Sequence, residues 1–156
     1  MTLKIVSMKK IIFLFCIALF AMNLNAQKLN PVKWTFEAVK KSDKQYEIII
    51  TAAIESPWHI YSQFVKDGPI PTKITYKVNP LVQIKGPAKE IGNREEKFDK
   101  NFNTQVVYFS NKVQFTQLAN LKVASKTKIT GEIEYGVCNE DRCLPPARVN
   151  FEIALQ

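Results

Sequence analysis

The sequence predicts an all-β protein, folded as an immunoglobulin-like antiparallel sandwich in a single domain. Three observations predict this fold class. Apolar and polar residues alternate with a period of two along most of the chain, and clusters of turn-forming residues separate the alternating segments. No window of about ten residues sustains the 3.6-residue apolar period of a helix. About seven short strands separated in this way are typical of a sandwich, and a barrel is the structural alternative.

The alternating segments define the expected strands in chain order. Each contains apolar residues that share one face, because successive side chains of a strand point to opposite faces. The apolar positions are Val32, Trp34, Phe36 and Ala38; Tyr46, Ile48, Ile50, Ala52 and Ile54; Ile74, Tyr76 and Val78; the run from Val106 to Phe109, then Val113 and Phe115; Ile129, Ile133, Tyr135 and Val137; and Val149, Phe151, Ile153 and Leu155.

Clusters of polar residues, glycine and proline mark the expected turns and loops. The turn clusters are Lys41-Ser42-Asp43, Asp67-Gly68-Pro69 and Ser110-Asn111. Residues 66–72 form a proline-stiffened connection that cannot be a central strand, because proline donates no hydrogen bond to a ladder. Residues 92–103 are expected to form a polar loop in which Phe98 and Phe102 are isolated aromatics. Either these rings fold back onto the core, or one of them covers a functional group.

The first 26 residues have the pattern of a secretory signal peptide. Lys9 and Lys10 precede an apolar run from Ile11 to Met22, which is shorter than the roughly 20 residues needed to span a bilayer. We expect cleavage near Ala26 and an uncleaved membrane anchor as the alternative. Residues 27–156 would then form the single domain of a periplasmic or secreted protein.

Removal of this peptide changes the composition that bears on function. Cys16 and three lysines leave with it, so the formal net charge falls from +8 to +5. A charge of this size, spread along strand faces of an exported protein, argues against nucleic-acid binding. Cys138 and Cys143 remain as an even pair, which in an oxidising compartment indicates a disulfide or a redox-active pair. No later segment is long and apolar enough to span a membrane.

The single histidine and the two remaining cysteines offer little material for other chemistry. Cys138, Cys143 and His59 are the possible metal ligands, and none has zinc-finger spacing, so neither a metal nor another cofactor is expected. We expect His59 to be a packed or hydrogen-bonded strand residue rather than a catalytic base. Trp34 and Trp58 are expected to be core aromatics.

The cysteine pair lies between two predicted strands, residues 129–137 and 148–155. Directly opposed residues of an antiparallel pair have Cα atoms about 4.5–5.5 Å apart, which a disulfide can bridge. Four residues separate Cys138 from Cys143, so the two can face each other across the end of a hairpin. A bond between them is therefore feasible.

Two properties determine what such a bond could do. Closing a loop of about six residues contributes roughly 2 kcal/mol, against over 4 kcal/mol for about a hundred residues. Continued strand alternation places Cys138 on the solvent-facing side, together with Glu132 and Glu134. An accessible, weakly stabilising disulfide whose exit is fixed by Pro145-Pro146 is typical of a labile or catalytic bond.

Charges within the loop act in opposite directions on thiol reactivity. Glu140 and Asp141 raise the pKa of a nearby thiol, whereas Arg142 lowers it. The pair also lacks the Cys-x-x-Cys motif of a thioredoxin-type site. Spacing alone therefore leaves two functions open: redox exchange, and a secreted binding module in which the disulfide is only structural and the loops dock a protein or glycan.

The run Tyr135-Gly136-Val137-Cys138, followed by Cys143-Leu144-Pro145-Pro146, resembles the active-site hairpin of the periplasmic N-terminal domain of the thiol:disulfide interchange protein DsbD. Two upstream stretches, Pro57 to Gln63 and Gly68 to Thr72, are similar to stretches in standalone members of that family. The resemblance covers about residues 30–156, and the hairpin is its most specific part. It implies an immunoglobulin-like fold and thiol–disulfide exchange at the cysteine pair.

The resemblance also implies roles for individual residues. In that family a loop with a phenylalanine caps the cysteine pair and shields it from unintended exchange. The segment Glu95-Glu96-Lys97-Phe98 resembles this cap, so Phe98 is the implied cap residue and Phe102 the second candidate. By the same resemblance, Cys143 attacks the partner and Cys138 resolves the mixed disulfide. The residues expected around the pair are Glu95, Glu96, Tyr135 and Pro145.

Partners follow from the resemblance as well. Family members take electrons from the membrane-embedded part of DsbD and pass them to periplasmic thioredoxin-like oxidoreductases. The segment between the cysteines is shorter here than in the familiar member, and the chain ends at Gln156 without a transmembrane or a thioredoxin domain. The expected function is therefore electron relay, as a protein-disulfide reductase if the protein is an enzyme, with a separate membrane donor of the DsbD type.

Overall fold

The computed structural model describes residues 29–100 and 102–156, in which Pro31–Gln156 form one compact unit. The predicted signal peptide, with Cys16, lies outside the described residues. Within the described ranges the chain forms ten strands and no helix, which confirms the all-β prediction. The strands are β1 (Val32–Ser42), β2 (Gln45–Ile54), β3 (His59–Tyr61), β4 (Lys73–Tyr76), β5 (Val82–Ile84), β6 (Lys89–Asp99), β7 (Thr104–Leu121), β8 (Thr127–Tyr135), β9 (Val137–Cys138) and β10 (Ala147–Leu155).

The strands form two antiparallel sheets. The larger sheet has seven strands in the order β1-β2-β7-β3-β9, with β5 and β6 also paired to β7, and the smaller has the order β10-β8-β4. The hairpin of β8 and β10 pairs Tyr135 with Ala147 at one end and Thr127 with Leu155 at the other. Because the two sheets are separate and enclose a common core, the fold is the predicted immunoglobulin-like sandwich and not a barrel.

The core lies between the two sheets and follows the predicted alternation. In β2, Ile48, Ile50 and Ala52 are fully buried, and the residues between them are only partly buried. The ring of Phe36 in β1 stacks on that of Phe151 in β10, with centroids 5.3 Å apart, and so joins the two sheets. Burying one large aliphatic side chain contributes about 1.5–3 kcal/mol, so these inward faces supply most of the attraction between the sheets.

Residues 92–103 do not form the predicted polar loop. Most of them belong to β6, which pairs with β7 from Lys89 opposite Thr116 to Asp99 opposite Thr104. Most side chains of β6 are exposed, so this strand has no alternating apolar face and leaves no periodic signal in the sequence. The strands β3 and β5 have three residues each, which is too short to establish an alternation.

The strand β7 passes without reversal through Ser110-Asn111, where the sequence predicts a turn. Asn111 has a φ of 61°, and the register of β6 against β7 shifts at the same level, between Gly92 and Arg94. On one side of this point β7 pairs with β2, and on the other it pairs with β3. A single asparagine in the left-handed conformation therefore produces a bulge and a change of partner strand instead of a reversal.

The connection at residues 66–72 is confirmed as a loop without strand structure. Its end is fixed beside β3, because the hydroxyl and the amide of Thr72 both donate to the carbonyl of Tyr61, at 2.6 and 3.2 Å. The following strand is shorter than the sequence predicts. It ends at Tyr76, and Val78 beyond it is 98% exposed.

Candidate functional site

Gly136 lets the chain pass from the smaller sheet to the larger one immediately before the cysteines. The strand β8 ends at Tyr135, whereas β9 pairs with β3 in the larger sheet. The Gly136 amide donates to the Ile70 carbonyl at 3.2 Å, and a Cβ at this position would lie 2.8 Å from that oxygen. Only glycine permits such a close approach of two backbone segments, so this residue determines which sheet receives Cys138.

Cys138 and Cys143 form a disulfide with their Cα atoms 4.0 Å apart. Cys138 lies directly opposite His59 of β3 on one side and opposite Cys143 on the other. Directly opposed residues of antiparallel strands point to the same face of a sheet. His59, Cys138 and Cys143 therefore form a row across the edge of the larger sheet, and the bond that the spacing makes feasible is present.

The two cysteines differ in their exposure to solvent. Cys138 is 4% exposed and packs with Tyr61 and Val106 in a small buried cluster, separate from the main core that contains Val137. Cys143 is exposed. The prediction of a solvent-facing Cys138 is therefore wrong, because the outer face to which it points is covered.

Glu132 and Glu134, expected on the same face as Cys138, lie instead in the smaller sheet. There Arg148 of β10 lies between them, with guanidinium nitrogens 4.0 Å from a Glu132 oxygen and 2.7 Å from a Glu134 oxygen. The alternation that links these acids to Cys138 ends at Gly136, because the chain changes sheet at that residue. These carboxylates belong to an exposed charged surface of the smaller sheet.

Asn139 fixes the tight turn between the cysteines. Its side-chain oxygen accepts hydrogen bonds from the amides of Asp141 and Arg142, at 3.0 and 2.8 Å, and its own amide donates to the Arg142 carbonyl at 2.9 Å. Asparagine is favoured in such turns, because its side chain can take the place of a backbone acceptor. The Arg142 guanidinium lies 5.9 Å from the ring centre of Trp58, which is buried as predicted. The hydrogen bonds of Asn139 thus hold the start of the turn, and the contact of Arg142 with Trp58 holds its end.

A cleft of about 430 Å³ lies beside the disulfide. Its walls are formed by the two cysteines and their turn, by β3 and β7, and by the end of β6 with the residues that follow it. Phe98 and Phe102, the two cap candidates, both line this cleft and are 48% and 46% exposed. The rings do not fold back onto the core, so that alternative is wrong. Their role as a cap stays a prediction.

A salt bridge joins two walls of this cleft. The Lys97 ammonium, near the end of β6, lies 2.5 Å from the Glu140 carboxylate in the turn between the cysteines. The hydrogen bond between them, together with their opposite charges, lowers the pKa of Glu140 and raises that of Lys97. Such an exposed pair contributes little to stability. It nevertheless connects the predicted cap segment to the turn that carries the cysteines.

His59, Tyr61 and Tyr108 line the cleft next to Cys138. The His59 ring stands perpendicular to the Tyr61 ring, and its Nε2 is 3.2 Å from the Tyr61 hydroxyl. Its centroid is 4.6 Å from that of Tyr108. Burial lowers the pKa of His59 from its ordinary 6.5 and raises the pKa of Tyr61 to about 12. At neutral pH both side chains are therefore uncharged, and His59 is the packed, hydrogen-bonded strand residue that the sequence predicts.

The two acids expected around the pair lie on β6 and do not line the cleft themselves. Glu95 accepts a hydrogen bond of 3.3 Å from the Tyr108 hydroxyl, so it contacts a residue that lines the cleft. Glu96 forms an exposed ion pair of 2.7 Å with Arg94 of the same strand. Of the two acids, Glu95 is the one connected to the site.

Tyr135 and Pro145 lie outside the cleft. Tyr135 is buried in the main core, where its ring packs edge-on against Trp34 with centroids 5.1 Å apart. Pro145 is exposed on the segment that leaves Cys143 and leads into β10. The structure therefore places Tyr135 as a core residue that precedes the change of sheet, and Pro145 as part of the exit from the cysteine turn.

Among residues 29–100 and 102–156, no group of three or more His, Cys, Asp or Glu side chains is arranged to hold a metal ion. In the same ranges, no helix has the length and hydropathy required to cross a membrane.

Three residues that the fold brings to the cysteines were not predicted to lie there: His59, Tyr61 and Tyr108. They are far from the cysteines in sequence, and only the pairing of β3 with β7 and with β9 brings them to the disulfide. The spacing of His59 and Tyr61 was the available signal, since alternate residues of a strand share a face.

The fold and the site together define an antiparallel β-sandwich domain with a half-exposed disulfide in a cleft at the edge of its larger sheet. Residues 26–155 match the family model of the N-terminal domain of the thiol:disulfide interchange protein DsbD. The chain belongs to this family, whose members are involved in thiol–disulfide exchange. The resemblance indicated by the cysteine hairpin is thus confirmed. No curated protein sequence matches the chain significantly.

Two solved structures with TM-scores above 0.5 share the fold, and a third is similar at a lower score. The complex between the DsbD N-terminal and PilB N-terminal domains from Neisseria meningitidis contains a chain that is 15% identical, with a TM-score of 0.54, over 81% of this chain and 87% of that one. The N-terminal periplasmic domain of ScsB from Proteus mirabilis is 13% identical, with a TM-score of 0.51, over 85% and 49%. The reduced N. meningitidis DsbD N-terminal domain is 19% identical, with a TM-score of 0.47, over 81% and 90%.

Proposed function

We propose that this protein exchanges thiols and disulfides with partner proteins through Cys138 and Cys143, and so relays reducing equivalents. The observation that carries the proposal is the difference in exposure within one disulfide: Cys143 is exposed, whereas Cys138 is 4% exposed. An attacking cysteine must be reachable by another protein, but a resolving cysteine needs to reach only its neighbour. This difference supports attack by Cys143 and resolution by Cys138.

The exchange proceeds in two steps. In the reduced protein the Cys143 thiolate attacks a partner disulfide, and one partner sulfur leaves as a thiolate that takes up a proton. Cys138 then attacks Cys143 in the mixed disulfide and releases the second partner thiol. The pair ends as a disulfide, and the partner has gained two electrons and two protons. The short Cα separation of 4.0 Å supports the second step, because it keeps Cys138 within reach of Cys143.

Phe98 and Phe102 act as a cap in this proposal. Both rings line the cleft beside the disulfide and are about half exposed, although large apolar side chains favour burial. Rings in this position restrict the approach of small thiols, and a docking protein could displace them. The Lys97–Glu140 ion pair supports the same role, because it fastens the segment before Phe98 to the cysteine turn.

Thioredoxin-like oxidoreductases are the proposed acceptors, and a separate membrane protein of the DsbD type is the proposed donor. A DsbD N-terminal domain forms a complex with the PilB N-terminal domain in a structure with this fold, which supports a protein acceptor. The ScsB domain of the same fold is periplasmic. We place residues 27–156 in the same compartment, as one domain exported by a signal peptide that is cleaved near Ala26.

The reduction potential of the Cys138–Cys143 bond tests this function. The protein is equilibrated in glutathione or dithiothreitol redox buffers, alkylated, and weighed by mass spectrometry, with the Cys138→Ser/Cys143→Ser double variant as the unreactive control. We expect a potential between about −180 and −270 mV, the range of exchange proteins. A potential below about −300 mV marks a structural bridge. The protein would then be a secreted binding module, and the relay function would be wrong.

A further inference from the structure

His59 lies beside the buried cysteine of the pair. It is the single histidine of the chain and stands directly opposite Cys138 in the pairing of β3 with β9. Directly opposed residues have Cβ atoms about 4.5–5.5 Å apart on the same face, and both side chains line the same cleft. The strand β3 is paired on both sides, with β7 and with β9, so the backbone fixes this position.

Burial makes the Cys138 thiol harder to ionise. A thiol attacks only as its thiolate, and burial in apolar surroundings raises the pKa of a thiol. Cys138 is 4% exposed and packs against Tyr61 and Val106, so water has little access to its proton. A base next to the sulfur could accept this proton and so produce the thiolate. Tyr61 itself does not, because burial raises its pKa to about 12 and its hydroxyl stays protonated.

The His59 ring is held in a fixed orientation by its aromatic neighbours. Its Nε2 lies 3.2 Å from the Tyr61 hydroxyl, and its ring packs against that of Tyr108. When Nε2–H donates to the Tyr61 oxygen, Nδ1 is the nitrogen left to accept a proton. Burial keeps the pKa of His59 below its ordinary value, so the ring is neutral at pH 7 and has a lone pair free to accept a proton.

We propose that His59 accepts the proton of Cys138 when the mixed disulfide is resolved. The inference rests on the exchange function proposed for this cysteine pair and assigns an acid–base residue to its second step. The Cys138 thiol proton moves to Nδ1 of His59, and the Cys138 thiolate attacks the sulfur of Cys143. The bond from Cys143 to the partner breaks, and the partner thiolate that leaves takes a proton, which the imidazolium can return.

The charges around His59 favour a short-lived imidazolium. The acids act to raise its pKa and Lys97 to lower it, while burial outweighs them all in the resting protein. When the ring accepts a proton, the nearby carboxylates stabilise its positive charge, although the ring at rest is neutral. The groups concerned are Glu95, Lys97 and Asp99 of β6, Tyr108 of β7, Tyr61 of β3 and Glu140 of the cysteine turn, and Lys100, Asp141 and Arg142 line the same cleft.

Titration of a Cys143→Ser variant tests the contact without any exchange reaction. This variant leaves Cys138 as a free thiol, and its ¹³Cβ shift and the imidazole C2–H shift are followed by NMR across pH. We expect a thiol pKa that differs by about one unit from that in Cys143→Ser/His59→Gln, because ionisation of Cys138 and protonation of His59 are coupled. The His59 resonance should also shift as Cys138 ionises. Identical thiol titrations in the two variants, with no response of the imidazole, would overturn the proposal.

A stopped-flow reaction with Ellman's reagent separates the two exchange steps. The reduced protein releases one thionitrobenzoate when the first thiol attacks and a second when the mixed disulfide is resolved. We expect His59→Gln to slow the second release about tenfold at pH 7 and to leave the first unchanged, and added imidazole to restore the second. An unchanged second release, or an equal slowing of both, would overturn the proposal. Neither experiment depends on the reduction potential of the disulfide. A potential below about −300 mV together with a coupled titration would contradict the relay function but not the contact between His59 and Cys138.

Discussion

The Lys97 ammonium lies 2.5 Å from the Glu140 carboxylate and joins the end of β6 to the turn between the two cysteines. Lys97 immediately precedes the cap candidate Phe98, and Glu140 lies in the four-residue segment that the disulfide closes. The ion pair thus connects the segment that would shield the disulfide with the segment that contains it.

Breaking this ion pair should expose the disulfide. We expect Lys97→Met and Glu140→Gln each to speed reduction of the bond by dithiothreitol about twofold, a modest effect because exposed pairs are weak. The wild-type rate should rise with salt, which screens the pair, and the variant rates should not. Reduction is followed by alkylation and mass spectrometry.

Lys128 and Glu152 provide the matched control for this experiment. They form an exposed ion pair of 2.7 Å between β8 and β10 in the smaller sheet. Lys128→Met should therefore leave the rate of reduction unchanged. An equal increase in this variant would show that the effect at Lys97 comes from general loosening of the fold and not from the cap.

Removing a cap ring should have a larger effect. Phe98→Ala and Phe102→Ala each delete a ring that lines the cleft, so we expect the disulfide to be reduced several-fold faster by dithiothreitol, and fastest in the double variant. Phe64→Ala is the control, because Phe64 is 58% exposed and does not line this cleft. Rates equal to that of Phe64→Ala would show that neither ring shields the disulfide.

The change of sheet at Gly136 should not tolerate a side chain. Gly136→Ala places a Cβ 2.8 Å from the Ile70 carbonyl oxygen, so the backbone must shift, and we expect a loss of about 1–3 kcal/mol in the free energy of unfolding by urea. Gly68→Ala is the control, because a Cβ there would meet side-chain methyl groups at 3.2 Å or more. A loss at Gly136 no larger than that at Gly68 would contradict the packing described here.

How much of this molecule is predictable from its sequence depends on how each strand is covered. β2 has one face in the core, so its alternation predicts both its existence and its inward residues. β6 is mostly exposed and is held by backbone pairing with β7, so its side chains carry no period. Asn111 resembles a turn residue, but its left-handed conformation produces a bulge because the strands on both sides stay paired.

The candidate site divides in the same way. The cysteine pair and the two phenylalanines are predictable from local sequence. The spacing of the cysteines and the polar neighbours of the phenylalanines are features of the sequence itself. The burial of Cys138 and the position of His59 do not, since both depend on the change of sheet at Gly136 and on the pairing of β3 with β9. Tertiary pairing therefore decides which neighbours the sulfur atoms have.

The partly buried imidazole of His59 should give the stability of the fold a distinct pH dependence. Burial lowers the pKa of His59 in the folded state, so as pH falls through about 6.5 the unfolded chain binds the proton first. The free energy of unfolding by urea should therefore decrease from pH 7.5 to pH 5. His59→Gln should lack this component, and the comparison cancels contributions shared by both proteins. Parallel stability curves would contradict the burial of a neutral His59.

Trapping each cysteine with a partner tests whether Cys143 is the attacking cysteine. Cys138→Ser and Cys143→Ser are each mixed with an oxidised thioredoxin-like domain, and the mixed disulfide is quantified by mass spectrometry over time. Because Cys143 is exposed and Cys138 is buried, the protein that retains Cys143 should form the mixed disulfide at least about tenfold faster. Equal or faster reaction of the protein that retains Cys138 would show that Cys143 is not the attacking cysteine.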